Sequence, residues 1–420
     1  MAQEKKLTIG LFGFGVVGEG IYNVLQQASS INATIKKICI KHANKKRAAP
    51  AELFTTSYEA LLEDDEINVI VELIDDADEA YKIVTASLHK GKAVVSANKK
   101  LIAEHLPELL ALQGATKTSF LYEAAVAGSI PILRNLEEYY DHDLLHGMQG
   151  VINGSTNYIL DKVIEHNLTY KEALLEAQQA GFAESNSELD VSGRDAANKL
   201  TLLLAHAYGI VTSPDHLICR GIQEIQDSDV RYAKEKGCRI KLVAHASKLR
   251  DGDVTAFVLP QFVTPGSQLY NVKQEFNGII LKSHLADEQF LYGKGAGRYP
   301  TASAVISDIS ALRYGYRYEY KKYHAATESK LAEDYFIKVY VGFDSWSDVN
   351  KWDFENIDEL YSTEGRQHLV GLIHAKKFKE ADWISNPAIS IIACSNPVLS
   401  KEEIVGRSLR KISLQLAGAR

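Results

Sequence analysis

The stretch L-T-I-G-L-F-G-F-G-V-V-G-E-G-I-Y-N-V-L-Q-Q, residues 7–27, decides the fold of the first part of this chain. Residues 7–12 are a short apolar run with β-branched members, which predicts a buried strand. Residues 19–27 carry apolar side chains at helical spacing. Between these two segments stands a six-residue loop of the pattern G-x-G-x-x-G: Gly13, Phe14, Gly15, Val16, Val17 and Gly18.

A glycine-rich loop between a strand and a helix is typical of dinucleotide binding. The first glycine allows the tight turn, the second lets the backbone approach a pyrophosphate, and the third lets helix and strand pack closely. The N-terminus of the helix then faces the phosphate charge. We therefore predict that all six loop residues bind a nucleotide cofactor, and a turn without a ligand is the alternative.

The end of the second predicted strand, residues 34–40, favours NADP over NAD. An NAD-selective site usually has an acidic residue there, but this sequence continues with Lys41 and the cations of residues 45–47. Cationic side chains suit the extra 2′-phosphate of NADP. Lys41 is thus a candidate cofactor-binding residue, and the use of NAD stays open. A solvated basic loop is the alternative.

Two more apolar runs, residues 68–73 and 93–96, predict further buried strands, and helices alternate with them in the doubly wound manner. The second run leads directly into Lys99. The carboxyl ends of parallel strands line the crevice where ligands bind. Lys99 is therefore a candidate for contacting cofactor or substrate, and a lysine that faces water at a helix start is the alternative.

Residues 184–200 crowd acidic and basic side chains into one segment. Asp195 and Lys199 stand four apart at the start of a segment with helical periodicity, so they share one helix face. Glu184 and Asp190 precede them and supply carboxylates for an ammonium group. We predict a site for a small charged substrate here, while an ordinary surface Asp–Lys pair is the alternative.

The bulk composition excludes several classes of protein. The 420 residues suffice for two or three domains. With a formal net charge of −7 and no basic stretch beyond residues 45–47, the chain lacks the basic face that nucleic acid requires. Neither a membrane-spanning apolar run nor a signal peptide is recognisable. Four cysteines without a C-x-x-C pair indicate a reducing compartment, so we expect a soluble cytoplasmic protein.

Further motifs complete a resemblance to the homoserine dehydrogenase family, in family order from about residue 7 to residue 312. They are S-A-N-K (96–99), Y-E-A-A-V-A-G-S-I-P (122–131), N-G-S-T-N-Y-I-L (153–160), G-F-A-E (181–184), D-V-S-G-R-D-A-A-N-K-L (190–200) and Y-G-K-G-A-G-R-Y-P-T-A-S-A-V (292–305). Each motif is modest alone, but the ordered set is specific. The resemblance implies reversible hydride transfer between NADP(H) and L-homoserine or L-aspartate 4-semialdehyde, in threonine and methionine synthesis.

The resemblance also implies a role for each candidate residue. Lys199 would exchange a proton with the substrate oxygen, and Asp195 would orient it. Glu184 would bind the homoserine amino group with Asp190 nearby, and Lys99 would lie between nicotinamide and substrate. A lysine fits the first role chemically, because hydride transfer to an aldehyde builds negative charge on its oxygen. Two glycines would bring backbone close to the cofactor: Gly295 and Gly297.

Relatives in this family hold a sodium ion on backbone carbonyls of the Y-E-A-x-V-x-G-x-I-P loop. In this chain the resemblance assigns such an ion to four residues: Glu123, Val126, Gly128 and Ile130. Carbonyl oxygens suit a hard cation. Without the resemblance, residues 122–131 indicate only a tight crossover between domains that ends at Pro131.

Some positions depart from the family pattern. Asp75 and Asp76 replace the usual pair of glycines after the third long strand, a change that bears on cofactor affinity and selectivity. Ser129 replaces a glycine in the predicted sodium loop. Phe182 stands where some relatives have tyrosine, and residues 185–189 lack the common D-P.

These observations predict an α/β protein with three parts. An N-terminal Rossmann-type nucleotide-binding domain covers residues 1–130 and is completed by about 300–325. An α+β domain at 131–299 binds homoserine and, as in relatives, builds a homodimer. A C-terminal ACT-like α+β domain covers 333–420, although Phe343-Asp344-Ser345-Trp346 stands where the usual aspartate-x-proline-glycine turn is expected.

Apolar patterns predict individual elements in the later parts. Helices are expected at 169–181 and 195–208, and a helix at 301–312 should return to the nucleotide domain. In the C-terminal part we expect strands at 335–341, 369–374 and 389–393, and helices at 353–361 and 401–417.

Two alternatives to this function stay open. One is another amino-acid dehydrogenase on the same scaffold, and the other is a non-catalytic, amino-acid-responsive regulatory protein. The second is disfavoured because a binding relic has no need of Glu184, Asp195, Lys199 and Lys99 together. We therefore predict an NADP-linked homoserine dehydrogenase that acts on a small-molecule substrate as a homodimer.

Overall fold

The fold was analysed in a computed structural model, which describes residues 6–142, 144–325, 329–363 and 365–404. The chain divides into two compact units. The first comprises Met1–Asp143, Asn198–Pro214 and Tyr292–Glu328, and the second comprises Leu144–Ala197, Asp215–Leu291 and Ser329–Arg420.

A six-stranded parallel sheet forms the centre of the first unit. Its strands are β1 (Leu7–Phe12), β2 (Ala33–Cys39), β3 (Phe54–Thr55), β4 (Val69–Glu72), β5 (Ala93–Ser96) and β6 (Phe120–Leu121). They lie in the order β3-β2-β1-β4-β5-β6, with every neighbouring pair parallel. This is the strand order of the doubly wound dinucleotide-binding fold. The predicted Rossmann-type architecture is therefore confirmed.

Helices connect or follow these strands. They are α1 (Val16–Gln27), α2 (Glu59–Leu62), α3 (Ala77–His89), α4 (Lys99–Thr116) and α5 (Ala124–Ala127), followed by a π-helical turn at Asn135–Tyr139. Side chains cap two of them, since Asp76 accepts from the Glu79 N–H at 3.1 Å and Asn98 from the Leu101 N–H at 3.0 Å. An Asp or Asn at this position satisfies an otherwise unpaired helical N–H. Asp76, one of the two departures from the glycine pair, is thus the N-cap of α3.

The second unit starts with a strand and three helices. They are β7 (Leu145–Val151), α6 (Gly154–His166), α7 (Tyr170–Gln179) and α8 (Glu188–Val191). The next helix, α9 (Arg194–Tyr208), begins in the second unit and ends in the first. The helices predicted at 169–181 and 195–208 are confirmed as α7 and α9.

The rest of the middle region supplies a second, mixed sheet. The strands and helices of this region are β8 (Ile218–Cys219), α10 (Asp227–Glu235), β9 (Arg239–Lys248), β10 (Val254–Val263), β11 (Phe276–Ser283), β12 (Asp287–Lys294) and α11 (Arg298–Leu312). The strands run in the order β12-β11-β7-β9-β10, and β8 pairs with β10. The helix predicted at 301–312 is α11, which packs against α1 within the first unit as expected. A Cβ on Gly20 would lie 2.9 Å from the Arg298 carbonyl oxygen, so only glycine allows this close approach.

The C-terminal elements continue the same sheet. They are β13 (Phe336–Phe343), β14 (Phe354–Thr363), β15 (Arg366–His374), α12 (Ala375–Glu380) and β16 (Ser390–Leu399). The sheet order runs on from β10 as β16-β13-β15-β14, with Gln261 of β10 opposite Ala393 of β16. Phe257 and Leu259 of β10 share one apolar core cluster with these strands. This segment belongs to the second compact unit, and its assignment as a C-terminal domain of its own stays a prediction.

The helix predicted at 353–361 is wrong, because β14 occupies this segment. Phe354 and Ile357 are three residues apart, as on a helix face, yet both pack against the same core cluster. Register shifts between Phe354 and Asn356, and between Ile357 and Glu359, insert extra residues into the strand. Such bulges let residues three apart face one side of a sheet. Of the helix predicted at 401–417, residues 401–404 are helical and the remainder lies outside the described residues.

The order β16-β13-β15-β14, with antiparallel pairs throughout, matches the strand arrangement of a βαββαβ unit. Between its first two strands the chain forms only a short 3-10 turn at Lys351–Asp353 instead of a helix. Asp344, which follows the first strand, accepts a hydrogen bond from the Arg366 guanidinium at 2.9 Å. The ACT-like assignment of residues 333–420 stays a prediction.

Candidate active site

The glycine-rich loop joins β1 to α1 by a turn that only glycines can make. Gly13 has φ +93°, and a Cβ at this position would lie 2.7 Å from the Leu73 carbonyl oxygen. A Cβ on Gly18 would lie 2.5 Å from the Gly13 carbonyl oxygen. Around Gly15, in contrast, nothing lies within 4 Å, and Val16 at the start of α1 is 59% exposed. The loop therefore leaves an open cradle at a helix N-terminus, which fits a dinucleotide pyrophosphate.

We expect alanine substitutions at Gly13 and Gly15 to have different effects, the first on stability and the second on cofactor binding. Gly13→Ala is expected to lower the melting temperature of the cofactor-free protein, because its Cβ meets backbone and its φ is unfavourable for alanine. Gly15→Ala is expected to leave that temperature unchanged but to weaken NADPH binding about tenfold or more, because the methyl group enters the cradle. Differential scanning fluorimetry and fluorescence titration measure the two effects. Equal NADPH affinity for Gly15→Ala and wild type would contradict this assignment.

The carboxyl ends of β4 and β5 are held together by a buried carboxyl group that sequence reasoning missed. Glu72 is fully buried, and its two oxygens accept from the Ile74 N–H at 2.7 Å and the Ser96 hydroxyl at 2.6 Å. Burial raises its pKa to about 7 despite these hydrogen bonds. Asn98 donates to the Ile74 carbonyl oxygen at 3.1 Å, which fixes the start of α4 and hence the backbone of Lys99.

The predicted sodium loop makes direct contact with the second glycine motif. Gly128 has φ +54°, and a Cβ there would lie 2.5 Å from the carbonyl of Gly295. The Ser129 N–H donates to the Lys294 carbonyl oxygen at 3.0 Å. The two backbone segments thus cross closely at this turn. Gly297, with φ +123°, is the N-cap of α11.

The side chain of Glu123 has a structural task. Its carboxylate accepts the N–H groups of Ile132, Leu133 and Arg134 at 2.6–2.9 Å. Its own N–H donates to Asp308, a fully buried carboxyl group whose pKa burial raises to about 8. The carbonyl of Glu123, not its side chain, is therefore the group left for an ion. Among the described residues, no three His, Cys, Asp or Glu side chains converge to hold a metal ion.

In the second unit one amide bridges two of the predicted acids. The Asn153 side-chain nitrogen donates to Asp190 Oδ1 at 2.7 Å and to Asp195 Oδ2 at 2.8 Å. Its oxygen accepts from the N–H of Thr156 at 2.8 Å, so Asn153 is also the N-cap of α6. The motif N-G-S-T contains Asn153, but its spacing gives no sign of this bridge, which forms only when α6 and α9 pack.

Helix α9 carries both predicted catalytic residues one turn apart. Asp195 is 3% exposed and Lys199 is 8% exposed. The alternative of an ordinary surface pair is therefore wrong, since a charged pair is rarely this buried without a specific environment. Glu184 lies in an exposed turn after α7, where its carbonyl oxygen accepts from the Gln178 side chain at 3.1 Å. Lys41 is exposed and Lys99 half-buried in the first unit.

No helix among the described residues is long and apolar enough to cross a bilayer.

Comparison with known proteins agrees with this geometry. Residues 13–123 match a family described as homoserine dehydrogenase, NAD binding domain, and residues 131–310 match the family homoserine dehydrogenase. A homoserine dehydrogenase of Bacillus subtilis is 32% identical over 381 residues, which is 86% of either chain.

Solved structures show the same likeness. A homoserine dehydrogenase from Thiobacillus denitrificans superposes with a TM-score of 0.81 at 28% identity, covering 93% of this chain and 98% of its own. A hyperthermophilic archaeal homoserine dehydrogenase mutant in complex with NADPH superposes with a TM-score of 0.64 at 26% identity, covering 75% of this chain and all of its own. An open dinucleotide cradle, a buried lysine on α9 and these matches together show that the chain belongs to the homoserine dehydrogenase family, whose members are NAD(P)-binding oxidoreductases.

Proposed function

We propose that this protein interconverts L-homoserine and L-aspartate 4-semialdehyde with NADP(H), and that Lys199 is the acid/base of the reaction. The observation that carries the proposal is the burial of Lys199 one helical turn from Asp195, whose carboxylate is fixed by Asn153. Aldehyde reduction, which feeds threonine and methionine synthesis, is the direction we expect in cells.

The proposed chemistry needs one proton at the substrate oxygen. When bound, NADPH supplies the hydride to the aldehyde carbon. The Lys199 ammonium group stabilises the negative charge that develops on the oxygen and then donates its proton there. In the oxidation direction the neutral amine accepts the hydroxyl proton instead. Because Lys199 is 8% exposed, water is largely excluded from it, and its electrostatic interaction with the substrate oxygen is stronger than in bulk water.

The acids have a separate task in this proposal. Homoserine carries an ammonium group, and Asp190 with Glu184 supplies carboxylates to bind it. Asn153 keeps Asp190 and Asp195 at a fixed separation by donating one hydrogen of its amide to each. Asp195 then orients Lys199 along α9 without moving towards the substrate.

The cofactor-binding groups proposed for the first unit are the glycine-rich loop, Lys41, Lys99 and the backbone at Gly295 and Gly297. The exposed Lys41 is placed by sequence just after β2, where a 2′-phosphate would lie. In this proposal the Asp76 carboxylate is held at the N-terminus of α3 by the Glu79 N–H, and the positive end of that helix partly offsets its charge. NADP is the preferred cofactor.

The proposal also includes a sodium ion. The carbonyls of Glu123, Val126, Gly128 and Ile130 would hold it, in a buried loop that turns sharply at Gly128. A hard monovalent cation suits such uncharged oxygen ligands. The ion would fix the loop against the backbone of Gly295, and no step of the reaction depends on it.

The cofactor preference gives a prediction of its own. Lys41→Ala is expected to raise the KM for NADP about tenfold, because a charge-assisted contact to the 2′-phosphate is lost, and to leave the KM for NAD unchanged. Initial rates at 340 nm with saturating homoserine give both values. Lys171→Ala, an exposed lysine on α7, is the matched control. A parallel rise in both KM values would exclude a 2′-phosphate contact.

One assay tests the function itself. Purified protein is incubated with NADP or NAD and with homoserine, aspartate or lactate, and NAD(P)H formation is followed at 340 nm. We expect efficient turnover only with the combination of homoserine and NADP. Turnover with another substrate would indicate a different amino-acid dehydrogenase, and no turnover would indicate a regulatory protein. Light scattering on the same sample tests the homodimer that the family resemblance implies.

A further inference from the structure

A buried chain of four hydrogen-bonding side chains crosses the first unit outside the proposed reaction centre. The Tyr122 hydroxyl lies 2.6 Å from the Tyr320 hydroxyl and 2.8 Å from His206 Nε2. His206 Nδ1 lies 2.7 Å from Glu137 Oε1, and Glu137 Oε2 accepts the Tyr320 N–H at 3.2 Å. None of the four residues is more than 8% exposed. Tyr122 begins the motif at 122–131, but sequence analysis gave it no role, and it did not single out the other three.

The donors and acceptors of this chain can all be satisfied with a neutral imidazole. Tyr320 donates to Tyr122, Tyr122 donates to Nε2 of His206, and Nδ1–H of His206 donates to the Glu137 carboxylate. Burial acts to raise the pKa of Glu137, but the hydrogen bonds from His206 and from the Tyr320 N–H act against it, and the pKa is lowered overall, so the carboxylate is ionised. A fully satisfied buried network of this kind is rigid, because each broken bond leaves a buried polar group unpaired.

The four residues come from four separate segments. Tyr122 directly precedes Glu123 of the predicted sodium loop, and Glu137 lies in the π-helical turn. His206 is in the last turn of α9, and Tyr320 is in the segment after α11. Lys322 of that segment donates to the carbonyl oxygens of Leu136 and His206, which ties the same parts together a second time.

His206 shares a helix face with Lys199. The two residues are seven apart on α9, so they lie two turns apart on the same side, with about 10 Å between them along the axis. Whatever fixes the rotation of α9 about its axis at His206 therefore fixes the direction in which Lys199 leaves the helix. Catalysis is sensitive to such placement, since an error of about 1 Å can cost about 100-fold in rate.

We propose that the chain Glu137–His206–Tyr122–Tyr320 is a positioning device that locks α9 in the rotation which Lys199 needs for proton transfer. The proposal rests on the function assigned above to Lys199. The four residues are buried and lie outside the proposed reaction centre, so we assign them a positioning role, and their loss should slow the chemical step without weakening cofactor binding.

The cluster contains its own matched control. Tyr318 is as deeply buried as Tyr122, and their rings are 5.1 Å apart, but its hydroxyl has no hydrogen-bond partner among the described residues. Tyr122→Phe and Tyr318→Phe thus remove the same atom from neighbouring buried rings. Only the first breaks the chain.

The test compares these variants with homoserine and with homoserine deuterated at the carbon that gives up the hydride. For Tyr122→Phe we expect kcat to fall about tenfold or more, the isotope effect on kcat to rise, and the KM for NADP to stay within about twofold. Tyr318→Phe should resemble wild type. His206→Asn should show the larger loss, and Tyr320→Phe replaces Tyr122→Phe if the latter does not fold.

Equal kcat and isotope effect for Tyr122→Phe and Tyr318→Phe would overturn the positioning role. A fall in kcat with no rise in the isotope effect would overturn it as well, because a general loss of folded protein lowers the rate without changing the limiting step. Failure of the proposed function gives a different result, namely a wild-type protein without homoserine-dependent turnover.

Discussion

Lys199→Ala is expected to lower kcat for homoserine oxidation by about 100-fold to 10,000-fold, the range that general acid–base groups contribute. The substrate hydroxyl then has no base, and the developing charge on oxygen has no cation beside it. NADPH affinity, measured by fluorescence titration, should change little, because binding of the dinucleotide is proposed to depend on the β1–α1 loop and Lys41. The kinetic loss should therefore appear in kcat rather than in cofactor affinity.

Lys199→Arg is the informative control for this experiment. Arginine keeps the positive charge but is effectively always protonated, so it cannot accept the hydroxyl proton. We expect it to recover little of the lost turnover. Near-normal turnover of Lys199→Ala would remove this residue from the mechanism, and full activity of Lys199→Arg would reduce its role to electrostatic stabilisation.

Asn153→Asp is expected to lower kcat/KM for homoserine by about 100-fold, which corresponds to about 2.7 kcal/mol. The amide that now donates to both Asp190 and Asp195 would become a third carboxylate at 2.7–2.8 Å from each. Like charges at such distances cannot all ionise, so the cluster must take up a proton or move apart. Either response disturbs both Asp195, which is proposed to orient Lys199, and Asp190, which is proposed to bind the substrate ammonium group.

The matched control is Asn186→Asp, which makes the same chemical change in an exposed turn. The Asn186 side-chain oxygen accepts from the Glu188 N–H, and an aspartate can accept in the same way. This variant should keep wild-type kinetics. A value of kcat/KM for Asn153→Asp within about twofold of wild type would show that the bridge seen between Asp190 and Asp195 does not matter for catalysis.

The first unit could be predicted from local patterns because its elements are short and strongly marked. β5 occupies Ala93–Ser96, as predicted, since a strand buried on both faces is a continuous apolar run. The turn between β1 and α1 could be predicted from its glycines, because φ +93° at Gly13 and the tight packing at Gly18 leave few other residue types. In α9 the four-residue spacing of Asp195 and Lys199 was also sufficient to place them on one face.

Other parts could not be read locally. The bulges in β14 turn a three-residue apolar spacing, which favours a helix, into one face of a strand. The Asn153 bridge joins residues 37 and 42 positions apart, and the Glu137–His206 contact joins residues 69 positions apart. Such pairs form only when helices pack together, and the periodicity of the sequence does not predict which residues that packing brings into contact. Polar side chains in these contacts look like ordinary core or surface residues in isolation.

The extension of the second sheet by β13–β16 has a consequence for how the chain can be shortened or recombined. Phe257 and Leu259 of β10 belong to the same buried core cluster as Ile337 and Val339 of β13. Cutting the chain before β13 would expose apolar side chains and an unpaired strand edge at once, and both promote aggregation. We therefore expect that a chain cut before β13 stays soluble only if the apolar side chains that the cut exposes are replaced by polar ones.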